Sequence, residues 1–253
     1  TFSSDILNPK ATERCKITAC GGGLYRLCIH EPQGGGAMAG IFITFEGIEG
    51  CGKTTQIRLL NEELRSMGFS TVLTREPGGT PISEKIRAIL LDPASSKISP
   101  KTELLLYAAG RNQHICEVIS PALASDKIVL CDRYADATKA YQGAAREIAP
   151  EIIESIHRIA TDGLMPDLTI LLDCDAEVGL SRAIKRNSEE SISGSSDRFE
   201  REKVEFHQRV REGYLKISAS EPGRVKVFDA TEAPSVIHSQ ILSEVKRKIG
   251  NTG

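Results

Sequence analysis

The sequence predicts an α/β fold in which a five-stranded parallel sheet is covered by helices on both faces. Two patterns lead to this prediction. Short runs of β-branched and aliphatic residues recur along the chain, and longer stretches with helical spacing separate them. Because strands that are joined by helices run parallel and bury both faces of their sheet, this alternation is typical of a doubly covered parallel sheet.

Each predicted strand has the length of a buried strand and ends in polar residues. The strands are expected at residues 41–47, 70–76, 127–133, 168–174 and 224–230. Ligands of parallel sheets bind beyond the carboxyl ends of the strands. We therefore expect one crevice to be surrounded by the side chains that end the strands, which are Glu46, Arg75, Glu76, Asp132, Arg133 and Asp173.

The stretch after the first strand shows the helical pattern most clearly. In "KTTQIRLLNEELRSMG" the residues Ile57, Leu60 and Leu64 fall on one face, and Gly68 follows as a terminator. The stretches "EIIESIHRIA" and "PSVIHSQILSEVKRKIG" have the same spacing. These helices are expected to pack on the sheet.

Composition and charge narrow the class of protein. The 253 residues are 40% apolar and carry a net charge of −2, which argues against a broad basic face for nucleic acid. No apolar run approaches the roughly 20 residues that span a bilayer. The seven cysteines are scattered, and no signal-peptide pattern is found, so we expect a cytoplasmic protein. Residues 1–37 have no sustained period and are expected to form a disordered extension before a domain at 38–250.

The segment "GIEGCGKT" matches the pattern G-x-x-x-x-G-K-[ST] between a strand and a helix, which predicts a P-loop NTPase fold. Backbone N–H groups of such a loop bind phosphates at the helix N-terminus. Lys53 is expected to reach the β and γ phosphates of a nucleoside triphosphate, and Thr54 to bind Mg²⁺. The candidate residues for this site are Gly47, Ile48, Glu49, Gly50, Cys51, Gly52, Lys53, Thr54 and Thr55.

The P-loop alone leaves a GTPase switch, a motor ATPase and a small-molecule kinase open. No guanine-reading N-K-x-D or T-K-x-D segment follows, which argues against the switch. A second basic cluster favours the kinase, because Arg75 in "TREPGGT", Arg87 and Arg133 all follow strand ends closely. Arginine binds phosphate oxygens with a rigid fork of donors, so this cluster predicts a second phosphate, on an acceptor. Asp132 is a candidate for binding Mg²⁺ or for orienting a phosphate.

Six segments together resemble bacterial thymidylate kinases, which are P-loop kinases of nucleoside monophosphates. They are "FEGIEGCGKTT", "TREPGGT", "EKIRAILL", "YAAGR", "CDRYADATKAYQG" and "PDLTILLD". The resemblance runs from about Ile41 to Ile249 and leaves out residues 1–37. It implies transfer of the γ-phosphate of ATP to dTMP, giving ADP and dTDP, with Mg²⁺ as the cofactor, and it implies a homodimer.

The resemblance also implies roles for residues around the acceptor base. Tyr107 would stack on the thymine ring, and Arg111 would bind its carbonyl oxygen. Thr138 and Gln142 would read the other edge of the base. Tyr141 would crowd the ribose 2′ position and so favour deoxynucleotides.

Further roles concern the acceptor phosphate and sugar. Arg87 and Arg133 would hold the phosphate, and Pro77 would pack beside the base. Glu49 and Glu76 would contact the sugar, a bound water or Mg²⁺, and the sequence does not divide these roles between them.

Positive charge for the transferred phosphoryl group has to come from outside the P-loop, because its variable positions 48–51 hold no arginine. The segment 181–202 has basic ends and a centre of Ser, Gly and Glu that cannot bury a core, which predicts a mobile lid. Its basic residues are Arg182, Lys185, Arg186, Arg198 and Arg201. We expect Arg182 to bind ATP, and Arg186 and Arg198 to act in catalysis. Two alternatives remain, namely a kinase for another nucleoside monophosphate and a nucleotide-dependent switch without turnover.

Removal of residues 1–37 is expected to leave both the kinase activity and the melting temperature unchanged, because this part of the chain has neither a strand pattern nor a site motif. A chain that begins at Met38 tests this by calorimetry and an ADP-release assay. A loss of several degrees in melting temperature would show that the extension packs on the domain.

Overall fold

A parallel five-stranded sheet lies at the centre of the computed structural model, which describes residues 40–189 and 198–250. The strands are Ile41–Glu46 (β1), Thr71–Arg75 (β2), Ile128–Asp132 (β3), Leu168–Asp173 (β4) and Val225–Asp229 (β5). Their order across the sheet is β2-β3-β1-β4-β5, and every pairing is parallel. The predicted fold class is confirmed. The expected extension at 1–37 lies outside the described residues.

Strand β1 lies in the centre of the sheet, where its apolar composition suits complete burial. All its residues are buried, since helices cover both faces of the sheet. Ile43 pairs with Leu130 of β3 on one side and with Leu168 of β4 on the other. The carboxyl end of β1 therefore lies in the middle of the sheet edge, and the P-loop begins there.

Helices surround the sheet in the described part of the chain. They are Lys53–Ser66 (α1), Pro81–Leu91 (α2), Pro100–His114 (α3), Ser120–Leu123 (α4), Ala135–Thr138 (α5), Pro150–Thr161 (α6), Ala176–Glu189 (α7), Val204–Ser220 (α8) and Pro234–Gly250 (α9). Two π-helical segments follow α3 and α5, at Ile115–Ile119 and Lys139–Ala145. Within the described ranges no helix is both long and apolar enough to cross a membrane.

Helix α1 differs from α2 and α3 at its N-terminus. Thr80 and Ser99 cap α2 and α3 by accepting hydrogen bonds from backbone N–H groups, whereas α1 follows Gly52 without a side-chain cap. The predicted apolar face of α1 is confirmed, because Ile57 and Leu60 are buried in the main core together with Leu64. The helix is thus fixed by packing, while its first N–H groups are left for a ligand.

Glycine is required in the P-loop by both conformation and space. Gly50 has a φ of 71°, and a Cβ atom there would lie 2.0 Å from the carbonyl oxygen of Gly179 in α7. Gly47 has a φ of 136°, and its Cβ would lie 2.5 Å from the carbonyl oxygen of Leu172 in β4. The loop is therefore packed directly on β4 and α7.

The first part of the predicted lid is helical in the structure. Helix α7 continues through residues 181–189, and it buries Leu180 and Ala183 against the domain. Good helix formers such as Leu, Ala, Arg and Lys explain this extension. Residues 198–200 form a turn, and α8 begins at Val204. The central residues 190–197 lie outside the described part.

Glu46 ends β1 inside the protein. It is fully buried; one carboxyl oxygen accepts a hydrogen bond from the backbone of Tyr134 at 2.7 Å, and the other accepts one from the Tyr214 hydroxyl at 2.7 Å. Burial raises the pKa of Glu46 to about 8, and nearby Asp136 adds to the rise. Glu46 therefore holds a proton near neutral pH that an unfolded chain would release.

This proton makes stability depend on pH. A carboxyl whose pKa is higher in the folded state stabilises the fold below about pH 4.5, and this contribution is lost as the pH rises through about 8. We expect the unfolding free energy of the wild type to fall relative to Glu46→Gln by on the order of 2 kcal/mol between pH 5 and pH 9. Urea denaturation of both proteins measures this, with the exposed Glu62→Gln as a control. Parallel pH curves for wild type and Glu46→Gln would contradict it.

Candidate active site

A cleft of about 560 Å³ opens at the carboxyl ends of the strands. Most of the predicted site residues line it, although the sequence places them far apart. Those that line it are Glu49, Gly50, Gly52, Lys53, Thr54, Thr55, Glu76, Pro77, Arg87, Tyr107, Arg111, Asp132, Arg133, Thr138, Tyr141, Gln142 and Arg182. The cleft therefore joins the P-loop to the second basic cluster.

The P-loop is folded around the amine of Lys53. The Nζ atom donates to the carbonyl oxygens of Gly47 at 3.0 Å and Ile48 at 2.7 Å, and Cys51 Sγ lies 3.5 Å away. Ile48 and Cys51 are buried, so these predicted residues shape the loop from behind. Thr54 is exposed at the start of α1. The amine is thus fixed at the mouth of the loop, where phosphates bind in this type of site.

Glu49 connects the P-loop to the second basic cluster. Its carboxylate accepts hydrogen bonds from Arg133 at 2.8 Å and from the Tyr141 hydroxyl at 2.7 Å, and His207 Nδ1 lies 3.2 Å away. Burial alone would raise the pKa of Glu49, but the Arg133 guanidinium, His207 and Lys53 together hold it well below its usual range. The Glu49 carboxylate is therefore a permanent negative charge that orients its neighbours.

Arg133 has an unusual backbone for an arginine. Its φ is 70°, in the left-handed region that residues other than glycine rarely adopt. The guanidinium donates to Glu49 and to the hydroxyl of Tyr214 at 3.2 Å, and it lies 4.9 Å from the centre of the Tyr141 ring. Backbone strain of this kind concentrates at functional sites. The arrangement holds a cation at a defined place above the sheet edge.

Arg111 is also held by a carboxylate. It is 3% exposed, and its Nε donates to Glu76 at 2.8 Å. Its Nη2 donates to the carbonyl oxygen of Tyr134 and to the hydroxyl of Thr138, both at 3.0 Å. His114 contacts the other Glu76 oxygen at 3.1 Å. Glu76, whose role the sequence left open, therefore orients Arg111, and Thr138 takes part in the same network.

Gln142 is positioned by a residue that the sequence analysis missed. Its Nε2 donates to Glu103 at 2.7 Å, and Glu103 is 1% exposed on α3. Tyr107, on the same helix, lines the cleft with its ring centre 6.4 Å from that of Phe199. Glu103, Tyr214 and His207 were missed because they match no local motif and meet the site only through the tertiary fold.

Arg87 and Arg182 are both anchored by backbone carbonyl oxygens. Arg87 donates to the carbonyl oxygen of Pro77 at 2.8 Å, and Arg182 donates to that of Ala230 at 3.0 Å. Both side chains line the cleft, and each guanidinium carries five N–H donors in all. Both predicted arginines are therefore placed where an anion in the cleft could bind.

Arg198 is not at the cleft. It is 7% exposed; its Nε donates to the carbonyl oxygen of Leu90 at 3.0 Å, and its Nη2 donates to Glu103 at 2.6 Å. Its neighbours Phe199 and Glu200 line the cleft instead. The expected contact of Arg198 with phosphates is thus not what this structure shows, because a buried carboxylate binds the guanidinium. Arg186 belongs to α7, and its side chain lies outside the description.

Two residues that end strands lie away from the predicted crevice. Glu46 is buried behind the cleft, as described above. Asp173 forms a bidentate ion pair with Arg211, with distances of 2.7 and 2.9 Å. The prediction that both would line the crevice is wrong, since strand position alone does not say which polar group a neighbouring helix binds.

Asp132 and Thr54 fit a magnesium ion with bound phosphates. Asp132 Oδ1 is buried and has no hydrogen-bond partner within residues 40–189 and 198–250, which leaves a carboxylate oxygen for a ligand of the cleft. Mg²⁺ prefers oxygen ligands and is commonly bound by one or two protein groups together with substrate phosphates and water. In agreement, the described residues form no cluster of three or more metal-binding side chains that would hold a metal alone.

Comparisons with known proteins agree with this geometry. The family profile for thymidylate kinase matches residues 45–241. The thymidylate kinase of Trichlorobacter lovleyi is 53% identical over 210 residues, which cover 83% of this chain and 98% of that protein. The one of Geotalea daltonii is 58% identical over 190 residues, covering 75% and 89%. A crystal structure of thymidylate kinase from Ehrlichia chaffeensis matches with a TM-score of 0.64 and 33% identity, covering 82% of this chain and 99% of that one. The chain belongs to the thymidylate kinase family.

Proposed function

We propose that this protein transfers the γ-phosphoryl group of ATP to dTMP, giving ADP and dTDP. One observation carries the proposal, namely that a single cleft joins the P-loop around Lys53 to a second set of arginines and a base-sized space beside Tyr107. A P-loop alone requires one phosphate ligand. The second set of cations requires another, and in-line transfer between two bound phosphates is the reaction that such a cleft supports.

The donor phosphates bind in the P-loop. Backbone N–H groups at Gly50, Gly52 and the start of α1 donate hydrogen bonds to the phosphate oxygens, and Lys53 reaches the phosphates from the mouth of the loop. Asp132 and Thr54 hold Mg²⁺, which neutralises charge on the phosphate oxygens when it is bound. Thr55 and Arg182 complete the ATP site.

The acceptor phosphate binds to Arg87 and Arg133. Both are fixed before the substrate arrives, by the Pro77 carbonyl oxygen and by Glu49. Fixed donors lose little entropy on binding and keep the acceptor oxygen in line with the donor phosphate. Tyr141, held by Glu49, borders the sugar and favours a deoxynucleotide.

The acceptor base lies between Tyr107 and the polar groups of Arg111, Thr138 and Gln142, beside Pro77. Arginine at one side of the base and an amide at the other set a fixed pattern of donors and acceptors. Thymine is the proposed base, because its carbonyl oxygen and ring N–H suit this pattern and the chain belongs to the thymidylate kinase family.

Positive charge for the moving phosphoryl group comes from α7. Arg182 lines the cleft, and Arg186 follows one helical turn later in the sequence of α7. Arg198, which the sequence also favoured, is assigned a structural role by its buried pair with Glu103. We expect it to hold the turn before α8 in place.

An ADP-release assay with dTMP, dUMP, UMP, dCMP, AMP and GMP tests the proposed reaction and its two alternatives. We expect dTMP to exceed the other acceptors clearly. A different preferred acceptor would indicate a kinase for another nucleoside monophosphate. Binding of nucleotide without ADP release for any acceptor would indicate a switch.

A homodimer and a cytoplasmic location are further parts of the proposal. An apolar surface on α2, α3 and α6, which pack side by side, supports the dimer. Its exposed residues are Ile82, Ile89, Leu105, Ile152 and Ile159. Such a patch is typical of an interaction surface. A cytoplasmic location is consistent with the four cysteines of the described residues, which are all free thiols.

Tyr107→Ala is expected to weaken dTMP binding and to leave ATP binding nearly unchanged. Loss of stacking on one base costs about 1–3 kcal/mol, so the dissociation constant of dTMP should rise about tenfold or more. Calorimetric titration with each nucleotide measures this, and Tyr107→Phe, which keeps the ring, is the matched control. Equal losses for ATP and dTMP would place Tyr107 outside the base site.

Arg182→Ala and Arg198→Ala are expected to differ. Removal of Arg182 should slow single-turnover transfer to dTMP by about 10³-fold and weaken ATP binding to a smaller extent, as expected for an arginine that contacts ATP but acts mainly in the transition state. Removal of Arg198 should mainly lower the melting temperature, because Glu103 is then buried with a weaker partner. Rapid-quench kinetics and calorimetry separate the two effects. Wild-type transfer in Arg182→Ala would remove α7 as the source of charge.

Ile159→Glu is expected to produce a monomer at micromolar concentration, because Ile159 is 74% exposed in the single chain and would be covered in a dimer. Sedimentation velocity of wild type and variant measures the change. The control is Val227→Glu, since Val227 is also exposed but lies on β5, away from the patch. A wild-type protein that sediments only as a monomer contradicts the dimer itself.

A further inference from the structure

Gln142 is held in one orientation by a residue that does not reach the cleft. Its side chain lines the cleft, and its Nε2 donates to Glu103 Oε1 at 2.7 Å. Glu103 is 1% exposed and is absent from the residues that line the cleft in the described chain. No described residue donates to Oε1, the side-chain carbonyl oxygen of Gln142, which leaves that oxygen to the cleft.

The chemistry of Glu103 fixes this orientation. Glu103 forms an ion pair with Arg198 at 2.6 Å, and Arg146 lies 3.5 Å away on the other oxygen. An ionised carboxylate only accepts hydrogen bonds, so the amide of Gln142 has to present its NH₂ group to it. The reversed amide would bring two acceptor oxygens together at 2.7 Å. The orientation therefore follows from hydrogen-bond chemistry, which is the proper basis for assigning an amide.

Arg111 supplies the complementary group. Its Nε and Nη2 are bound by Glu76, the Tyr134 carbonyl oxygen and Thr138. The remaining Nη1 has no hydrogen bond to the described residues and can only donate. The cleft thus offers a donor from Arg111 and an acceptor from Gln142.

We propose that Glu103 is a positioning residue that selects the acceptor base by locking the Gln142 carbonyl oxygen toward the cleft. The selected base carries a carbonyl oxygen next to a ring N–H, as in thymine and uracil. Cytosine carries an amino donor next to a ring nitrogen acceptor, so it meets the same site with both groups mismatched. This inference rests on the proposed function, since it concerns how that site chooses its substrate.

Glu103 is required for base selection because a glutamine alone discriminates weakly between thymine and cytosine. A free carboxamide can rotate to present NH₂ to cytosine as readily as it presents oxygen to thymine. With Glu103 in place, rotation would leave two acceptors facing each other in a buried site, which costs far more than the loss of one hydrogen bond. Sites of this kind reject the wrong partner by factors well above those of apolar pockets.

The test changes the carboxylate without leaving Arg198 uncompensated. We compare Arg198→Met with the double variant Glu103→Gln/Arg198→Met, measuring kcat/KM for dTMP and for dCMP. An amide at position 103 can donate or accept, so the pair of amides can reverse together. The ratio of kcat/KM for dTMP over dCMP should fall at least tenfold in the double variant, partly through a gain with dCMP. In Arg198→Met alone the ratio should equal that of the wild type.

The outcomes separate this inference from the proposed function. Transfer to dTMP by the wild type, with an unchanged ratio in the double variant, overturns the role of Glu103 only. Absence of transfer to dTMP in the wild type overturns the proposed function. If the double variant does not fold, the proposal is tested on the wild type by comparing the dissociation constants of dTMP and of its N3-methyl analogue. Equal affinity for both would show that the Gln142 oxygen accepts no N–H from the base, and would overturn the proposal.

Discussion

The partly buried ion pair between Arg133 and Glu49 is the interaction on which the rest of the cleft depends. Its two members come from different sides of the site, one from the P-loop and one from the end of β3. Removing either would leave an uncompensated charge in a poorly hydrated place, which is costly. The pair therefore fixes the distance between donor and acceptor sites. Tyr141 joins it from a π-helical segment, and Tyr214 joins it from α8.

A common arrangement recurs at each ligand-binding side chain. Glu49 orients Arg133, Glu76 orients Arg111, and Glu103 orients Gln142. In each pair a carboxylate that is buried (Glu76 and Glu103) or partly buried (Glu49) accepts from a group that has other donors or an acceptor left for the cleft. Such supporting residues keep a site within the narrow tolerances that catalysis and recognition require. Selectivity thus lies in the carboxylates behind the cleft as much as in the residues that touch it.

The sequence predicted the features that local physics determines. The strands, the P-loop and the apolar face of α1 could be predicted because hydrophobic periodicity and glycine spacing are patterns of a few neighbouring residues. Partners such as Tyr214, which lies 81 residues from Arg133, leave no local signal. The helical state of residues 181–189 was missed for a related reason, because it depends on burial of Leu180 and Ala183 in α7, which only the tertiary structure shows.

The Glu103 carboxylate determines the positions of both Arg198 and Gln142. Charge counting along the sequence made Arg198 a candidate for phosphate binding, because the P-loop has no arginine of its own. In the fold, Glu103 uses one oxygen to orient Gln142 and the other to bind Arg198. Moving Arg198 to a phosphate would remove an ion pair whose members are both buried, at a cost of several kcal/mol. An Arg198 that swings to the donor phosphate would therefore have to give up this ion pair, whereas the proposed role of Arg182 on α7 requires no such loss.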